Sequence, residues 1–336
     1  MLLLTISRMK SMLPRSLVLL VILLLVLPAL TQAADTMRIH IVNVGGGDVI
    51  FMRCPEGNHE LLIDSGDGTD PEAVQRFRSF LTSIQGSNNM IERVIVTHQH
   101  PNHLGNMPWV LRNFRIGLYV DSGFGASEPI ARNIAGILAE RRIAHSSIML
   151  SRRTPDVAFC PLRDVSIRML IPYGFERYSS KSHARTIVLR LDYLKTAFLF
   201  LGDADYEEVK MLMEDPATAP LLNCFFLKAD CHDADAGASP ELLNLAKSRI
   251  LVVSGGDREK GKDGRYRRPQ YSAIQSLLKH AWPREGPVTE CTAWDGHARQ
   301  WKSVVLRQSV YLTWMDKHLV FETDGENIHK VAATAK

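Results

Sequence analysis

Val94-Ile-Val-Thr-His-Gln-His-Pro-Asn-His-Leu-Gly105 is the stretch that decides how this chain is interpreted. It begins as a short run of β-branched apolar residues, which predicts a buried strand, and it ends in three histidines. In an extended segment, side chains two positions apart point the same way, so His98 and His100 are expected to converge. Imidazole is a common metal ligand near pH 7, and the cluster predicts a zinc or iron site. A chance group of surface histidines is the alternative, but the apolar strand directly before them favours ligation.

The same stretch resembles the T-H-x-H-x-D-H signature of the metallo-β-lactamase superfamily, with Asn102 in place of the family's aspartate. The flanking sequence narrows the resemblance to the group that contains the soluble metallo-hydrolase domain of the DNA-uptake protein ComEC. This resemblance runs from about Met37 to Ile328. It implies an α/β (α+β) fold, a four-layer αββα metallo-β-lactamase-like sandwich, with the candidate ligands together at one edge of two mixed sheets.

The first 33 residues predict a signal peptide. Arg8, Lys10 and Arg15 precede an apolar run at residues 17–27, and small residues around Ala33 provide a cleavage site. A permanent membrane anchor is the alternative, but an apolar run of this length is short for a bilayer span. We therefore expect an exported, periplasmic or secreted protein, with one domain at residues 34–336 and no stable membrane span after cleavage. The sequence assigns no oligomeric state.

Composition narrows the function classes. The chain of 336 residues is 46% hydrophobic and 23% charged, which is typical of a globular protein with a sizeable core. Its formal net charge of +4 falls to about +1 when the three basic residues of the signal segment are removed. The charge balance therefore does not indicate a surface that binds polyanions over its whole extent.

Five cysteines are present: Cys54, Cys160, Cys224, Cys231 and Cys291. An odd count leaves at least one thiol, and in an oxidising compartment one or two disulfides are compatible with it. Buried small hydrophobic residues are the favoured interpretation for all of them except Cys231.

Periodicity predicts strands and helices on both sides of the histidine stretch. The predicted strands are 37–42, 49–53, 60–64, 117–120, 165–171, 186–191 and 196–201, and the predicted helices are 71–84, 107–113, 129–142 and 271–281. Residues 310–321 are expected to close the domain as a hairpin. Three glycines at 45–47 predict a tight turn. Asp64 lies in a turn similar to the family's I-D-x-G, and the resemblance implies that it braces the metal-binding loop.

A second group of candidate ligands lies near the strand predicted at 196–201. Asp203 stands between that strand and a helical pattern, where a carboxylate is well placed to bind a metal ion. A plain N-cap is the alternative, but the preceding residues are similar to the ComEC-like L-L-F-T-G-D, whose aspartate bridges two metals. His183 lies where other superfamily members place a metal-binding histidine. An equal alternative is that His183 replaces an asparagine and faces solvent.

The third group begins at Lys228, in a segment that resembles the family's L-K-x-x-H-H-G-S. Cys231 replaces the first histidine of that motif, and His232 matches the second. Thiolate also binds zinc, and a reactive or oxidised cysteine is the alternative. Arg268 stands where the family has another histidine, and a guanidinium is not a metal ligand. Lys228 and Arg268 are therefore candidate substrate contacts.

The resemblance implies two metal sites that share one carboxylate. The first comprises His98, His100, His183 and Asp203, and the second comprises Asn102, His103, Asp203 and His232. Asp203 and Asn102 are the candidate catalytic residues, with Asp64 and Cys231 in support. An amide oxygen is a poorer zinc donor than a carboxylate, so Asn102 predicts one tight ion and a weak or absent second. Zinc is the expected metal, with manganese or iron as alternatives.

The function that the resemblance implies is that of an exported metal-dependent hydrolase, which acts on phosphoester-type substrates through a metal-bound hydroxide. One alternative is a catalytically degenerate member that binds a small ligand or a partner. Another is a nucleic-acid-handling protein related to ComEC-type DNA uptake, which the basic loop from Arg258 to Arg268 favours. The scarcity of aromatic residues in that loop favours plain solvation. Metal content distinguishes the hydrolase from the degenerate binding protein. Salt-dependent retention on DNA identifies the nucleic-acid-handling protein.

Overall fold

Both strands and helices occur along the chain between Thr36 and Ala333. The computed structural model describes residues 36–57, 59–85, 89–123, 128–148, 157–162, 164–171, 185–229, 238–256, 259–260, 267–283 and 288–333. Its strands are β1 (Met37–Ile41), β2 (Ile50–Arg53), β3 (Glu60–Ile63), β4 (Met90–Val96), β5 (Arg115–Asp121), β6 (His145–Ser147), β7 (Val165–Leu170), β8 (Val188–Tyr193), β9 (Thr196–Phe200), β10 (Phe226–Ala229), β11 (Ile250–Val253), β12 (Glu259–Lys260), β13 (Arg267–Arg268), β14 (Thr289–Asp295), β15 (Gln300–Leu306), β16 (Val310–Leu312), β17 (Leu319–Thr323) and β18 (Ile328–Val331). Its helices are α1 (Pro71–Ile84), α2 (Pro101–Leu104), α3 (Met107–Asn113), α4 (Pro129–Glu140), α5 (Tyr206–Glu214), α6 (Pro240–Ala246), α7 (Tyr271–His280) and α8 (Thr313–Asp316), with a 3₁₀ turn at Ala219–Leu222. The predicted signal peptide lies outside these ranges.

Two large mixed sheets form the centre of the fold. The first has the strand order β18-β17-β1-β2-β3-β4-β5-β6, and the second has the order β16-β11-β10-β9-β8-β7. Strands β3 to β6 run parallel in the first sheet, as do β9, β10, β11 and β16 in the second. Because parallel neighbours end at the same edge of a sheet, the residues that follow β3 and β4 lie together, as do those that follow β9 and β10.

Apolar side chains that alternate along the strands fill the space between the two sheets. In β1, Met37, Ile39 and Ile41 are fully buried in this layer. Phe226 of the second sheet packs edge-on against Phe321 of the first, with ring centroids 5.0 Å apart. Each large apolar side chain buried in this way stabilises the fold by about 1.5–3 kcal/mol relative to exposure. This core therefore holds the two sheets face to face.

Helices cover the outer face of each sheet. Asp70 is the N-cap of helix α1, and its carboxylate accepts a hydrogen bond from the Glu72 N–H. The helix buries Phe77 and Leu81 in the same cluster as residues of the first sheet. Helices α5, α6 and α7 cover the second sheet in the same way. The predicted four-layer αββα sandwich is confirmed. Among the described residues, no helix is long and apolar enough to cross a membrane.

The predicted closing hairpin at residues 310–321 is wrong. Strand β16 pairs with β11 in the second sheet, whereas β17 pairs with β1 in the first. Helix α8 connects them, and its Asp316 carboxylate accepts a hydrogen bond from the Leu312 N–H at 3.0 Å. Tyr311 and Phe321 meet edge-on in the inter-sheet core, with ring centroids 5.5 Å apart. Both strands bury an aromatic residue in the same core, and they do so from opposite sheets.

Cys54 and Cys160 form a disulfide, with Cα atoms 5.5 Å apart, and both lie in the inter-sheet core. The bond joins the end of β2 to the segment 157–162. Of the other cysteines in the described ranges, Cys224 and Cys291 are buried, and burial raises the pKa of the Cys224 thiol to about 12. Cys231 lies outside the described residues. The structure thus identifies one disulfide pair, which the number of cysteines in the sequence did not determine.

Loss of this disulfide is expected to lower the free energy of unfolding. The two cysteines are 106 residues apart in sequence. Closing a loop of roughly 100 residues lowers the conformational entropy of the unfolded chain, which stabilises the folded state by up to about 4.7 kcal/mol. Urea unfolding of the oxidised protein and of the Cys54→Ala/Cys160→Ala variant measures the difference. Dithiothreitol should lower the midpoint of the parent and leave that of the double variant unchanged. Equal midpoints for parent and variant would contradict a stabilising disulfide.

Candidate metal centre

His98 and His100 converge where β4 ends. Pro101 occupies the start of α2, where its fixed φ suits a first helical turn, and His100 is the N-cap with extended backbone. The chain therefore remains extended through both histidines before it turns. As a result, Nε2 of His98 lies 2.9 Å from Nδ1 of His100. The convergence follows from the spacing of two residues and from the proline that ends the extended segment.

His103 joins the two histidines from the first turn of α2, and its ring centroid lies 4.2 Å from that of His98. Its Nδ1 is 2.8 Å from Oδ2 of Asp64, and its Nε2 is 3.2 Å from Oδ2 of Asp203. Burial by itself lowers the pKa of His103, but the carboxylates of Asp203 and Asp64 raise it well above its ordinary value. A carboxylate at one ring nitrogen fixes the orientation of the other, as is usual for histidines that bind metals.

Asp203 comes from the opposite sheet, in the turn that follows β9. Gly202 before it has a φ of +56°, and a Cβ there would lie 2.5 Å from Cγ2 of Thr186 and 3.2 Å from Cβ of Thr97. Only glycine fits this conformation and this close approach. The carbonyl of Thr97 accepts a hydrogen bond from the Ile187 N–H at 2.9 Å, which ties the two sheets together at this edge. Oδ2 of Asp203 lies 3.4 Å from Nε2 of His98.

Asp48 enters the centre from the glycine turn between β1 and β2. It is 3% exposed, and its carboxylate contacts the ammonium of Lys228, which is 1% exposed. Asn102 holds this turn, because its Nδ2 donates a hydrogen bond to the Gly46 carbonyl at 2.8 Å. A Cβ at Gly47 would lie 1.9 Å from the carbonyl oxygen of Asn102. The turn therefore approaches α2 closely only because position 47 is glycine.

Five side chains form two donor groups that share Asp203. One group is His98, His100 and Asp203, the other is Asp48, His103 and Asp203, and within each group the donor atoms all lie within 4.8 Å of one another. Imidazole nitrogen and carboxylate oxygen are the donors of catalytic zinc sites, and manganese or iron also accepts them. Ligands bonded at about 2.0–2.1 Å to a tetrahedral ion lie about 3.4 Å apart, close to the 2.9–3.4 Å measured here. The donor set fits a divalent metal ion.

The residues that the sequence singled out fall into three classes. The structure gathers His98, His100, His103 and Asp203 around one point, with Asp64 behind His103. It places Asn102 on α2 with a hydrogen bond to the glycine turn, Lys228 in a buried ion pair, and Arg268 half-buried on β13. His183, Cys231 and His232 lie outside the described residues, and their predicted roles stay predictions. Lys228, expected to contact substrate, thus has a partner inside the protein.

Asp48 is the member of the donor groups to which the sequence reasoning gave no role. The pattern that indicates it is a carboxylate directly after Gly45-Gly-Gly47 and directly before a buried strand. Glycines let the backbone approach another segment closely, and an ionisable residue directly after them is a candidate for a binding or catalytic role. A buried acid is otherwise rare unless it is paired.

Glu208 lies beneath the Asp203 turn, in the first turn of α5. It is 1% exposed, and its Oε2 accepts a hydrogen bond from the Thr186 N–H at 3.2 Å. Burial raises the pKa of Glu208 well above its ordinary value; the Thr186 N–H opposes this rise and the nearby Asp205 carboxylate adds to it. Through the Thr186 N–H, Glu208 supports the residue whose side chain packs against Gly202.

Comparisons with known proteins agree with this fold. The family model described as the metallo-beta-lactamase superfamily matches residues 42–128. Among solved structures, the metallo-beta-lactamase fold protein YhfI from Bacillus subtilis has a TM-score of 0.51 and 11% sequence identity, and the match covers 86% of this chain and 100% of that one. Residues 42–128 therefore resemble that superfamily in sequence, the described structure shares the fold of YhfI, and the predicted resemblance is confirmed.

A curated relative narrows the resemblance further. ComE operon protein 3 from Bacillus subtilis (strain 168) is 22% identical over 274 residues, which cover 77% of this chain and 32% of that protein. The predicted resemblance to the ComEC-like group is thereby confirmed. This chain spans about a third of the length of that relative.

Glu208→Gln is expected to stabilise the protein at neutral pH. Because the folded-state pKa of Glu208 lies above the ordinary value of 4.5, the folded protein keeps a proton that the unfolded chain releases. The stability that this neutral carboxyl contributes is full below about pH 4.5 and falls as pH rises toward the folded-state pKa, by up to about 1.4 kcal/mol per pH unit. Glutamine stays neutral and still accepts from Thr186.

Thermal unfolding between about pH 4 and pH 8 tests this expectation. The advantage of Glu208→Gln should be close to zero at the acid end and should grow toward neutral pH. Glu207→Gln changes an exposed residue of the same helical turn, and it should show no such trend. A Tm for Glu208→Gln at or below that of the parent at pH 8 would contradict the raised pKa of Glu208.

Proposed function

We propose that this chain is a metal-dependent hydrolase that acts on phosphoester-type substrates. The observation that carries the proposal is the pair of donor groups that share Asp203, each with its donor atoms within 4.8 Å of one another. A divalent ion bound there would act as a Lewis acid and lower the pKa of water toward neutrality. Two adjacent donor groups suit a substrate that presents two oxygens at one electrophilic centre, as a phosphoester does.

The side chains of this centre position the reacting groups. Asp64 orients His103 so that Nε2 faces the shared carboxylate. His98 and His100 offer Nε2 and Nδ1 toward one point. The side chain of Asp203 is 10% exposed, so a water molecule can reach this carboxylate and lose a proton to it. An amide cannot accept that proton, so Asp203 rather than Asn102 is the residue to which we assign it.

Metal content and hydrolysis of the purified full chain test the proposal. We expect at least one tightly bound zinc or manganese ion and measurable hydrolysis of a phosphodiester. His98→Ala/His100→Ala should lose that ion. Because removing groups that merely support metal ligands costs about 10–100-fold, loss of the ligands themselves should lower turnover by at least about 100-fold.

The matched control is His297→Ala, which removes an exposed histidine in the β14–β15 turn and should change neither metal content nor turnover. A substrate panel of a phosphodiester, a phosphomonoester, a lactam and single-stranded DNA separates substrate classes. Equal turnover in the parent and in His98→Ala/His100→Ala would show that the observed hydrolysis does not arise at this centre.

We further propose that the protein is exported. The Cys54–Cys160 disulfide supports this proposal, because disulfides form and persist in oxidising compartments and are rare in the cytosol. Intact-mass spectrometry of protein recovered from outside the cytoplasm should show an N-terminus near Ala34 and an oxidised Cys54–Cys160 pair. Residues 17–27 retained in that material would support a membrane anchor instead, and a fully reduced protein confined to the cytoplasm would refute export.

A further inference from the structure

We infer that Asp48 supplies the carboxylate of the second metal position, in place of the aspartate that this chain lacks at residue 102. The inference rests on the metal centre proposed above. Asp48, His103 and Asp203 bring their donor atoms within 4.8 Å of one another, and Asp203 belongs to both groups. A carboxylate oxygen is a much better ligand for a divalent ion than an amide oxygen.

Asn102 has a different role, which an aspartate would not perform. Its Nδ2 donates a 2.8 Å hydrogen bond to the carbonyl of Gly46, in the turn that carries Asp48. A carboxylate at this position has no donor when ionised and would place its oxygens against that carbonyl. Asn102 is therefore a positioning residue, which holds the glycine turn so that Asp48 reaches the centre.

Lys228 affects how tightly this second position binds a metal ion. Its buried ammonium contacts the Asp48 carboxylate, and three carboxylates, those of Asp48, Asp64 and Asp203, lie around His103 and Lys228. Because a charge buried without a partner is strongly unfavourable, Lys228 stabilises Asp48 before an ion arrives. A dication then competes with Lys228 for the same carboxylate, so the lysine should weaken binding of the second ion.

Zinc titration of four full-length proteins, followed by calorimetry and by the metal-dependent shift in Tm, tests the inference without recourse to activity. The proteins are the parent, Lys228→Met, Asp48→Asn/Lys228→Met and Asn102→Asp. Replacing both partners of the ion pair avoids an unpaired buried lysine, so the double variant is compared with Lys228→Met. Any ligands from outside the described residues are common to all four proteins.

We expect Lys228→Met to bind a second ion about tenfold more tightly than the parent and to gain more in Tm from zinc. Asp48→Asn/Lys228→Met should keep the first ion. It should bind the second ion about 10–100-fold more weakly than Lys228→Met does, which is the effect on metal affinity when groups that support a metal site are removed. Asn102→Asp should also weaken the second ion, because the glycine turn loses its hydrogen bond.

Tight binding of two ions by Asp48→Asn/Lys228→Met would overturn the inference, and so would a gain of second-ion affinity in Asn102→Asp, which would make residue 102 the ligand. A parent and a Lys228→Met variant that both bind one ion alone would overturn it as well, while the proposed hydrolase, which needs the first ion, would stand. A folded parent that binds no ion would overturn the proposed function and the inference with it.

Discussion

The hydrogen bonds that Asp64 accepts are the interactions on which the geometry of the centre depends. Asp64 has a φ of +57°, a region that few residues other than glycine adopt. In this conformation its carboxylate accepts from the N–H and the Oγ1 of Thr97, at 2.8 and 2.7 Å, and faces Nδ1 of His103 at 2.8 Å. One fully buried side chain thus joins the end of β3 to the end of β4 and to α2.

The second constraint is the contact between the two sheets at the same edge. Thr97 bonds to Asp64 through its N–H and hydroxyl, and its carbonyl accepts from Ile187 of the second sheet. Gly202 packs against Thr97 and Thr186 at a distance that no other residue allows. The position of Asp203 relative to the histidines is therefore set by contacts on both sides, and a displacement of either sheet would move this shared carboxylate away from the donors of the first sheet.

Local features of the sequence were sufficient to predict much of the fold. Helix α1 has the predicted bounds because an N-cap aspartate, a proline at the first position and apolar residues at helical spacing all lie within the segment itself. The convergence of His98 and His100 is likewise local, since they lie two positions apart in the extended segment that follows β4. The αββα layers followed from the family resemblance rather than from periodicity.

Features that depend on strand order were not predictable in this way. Asp48 reaches His103 because the β1–β2 hairpin lies beside β3, which in turn lies beside β4, and this order is a property of the folded sheet. Strands β16 and β17 are close in sequence yet belong to different sheets, because the shared core between the sheets accepts an aromatic residue from each. The pairing of Cys54 with Cys160 also required the tertiary structure, since five cysteines permit many combinations.

The energetics of the buried polar cluster argue that it serves binding rather than stability. Taking an ion out of water has a penalty of several kcal/mol even after relaxation, and a buried ion pair replaced by packed apolar groups often leaves a protein equally or more stable. The Asp48–Lys228 pair and the Asp64–His103 pair lie beside large apolar layers that would accept such groups. A cluster of carboxylates and imidazoles arranged around one point, with donor atoms spaced for a metal ion, has the chemistry of a functional centre.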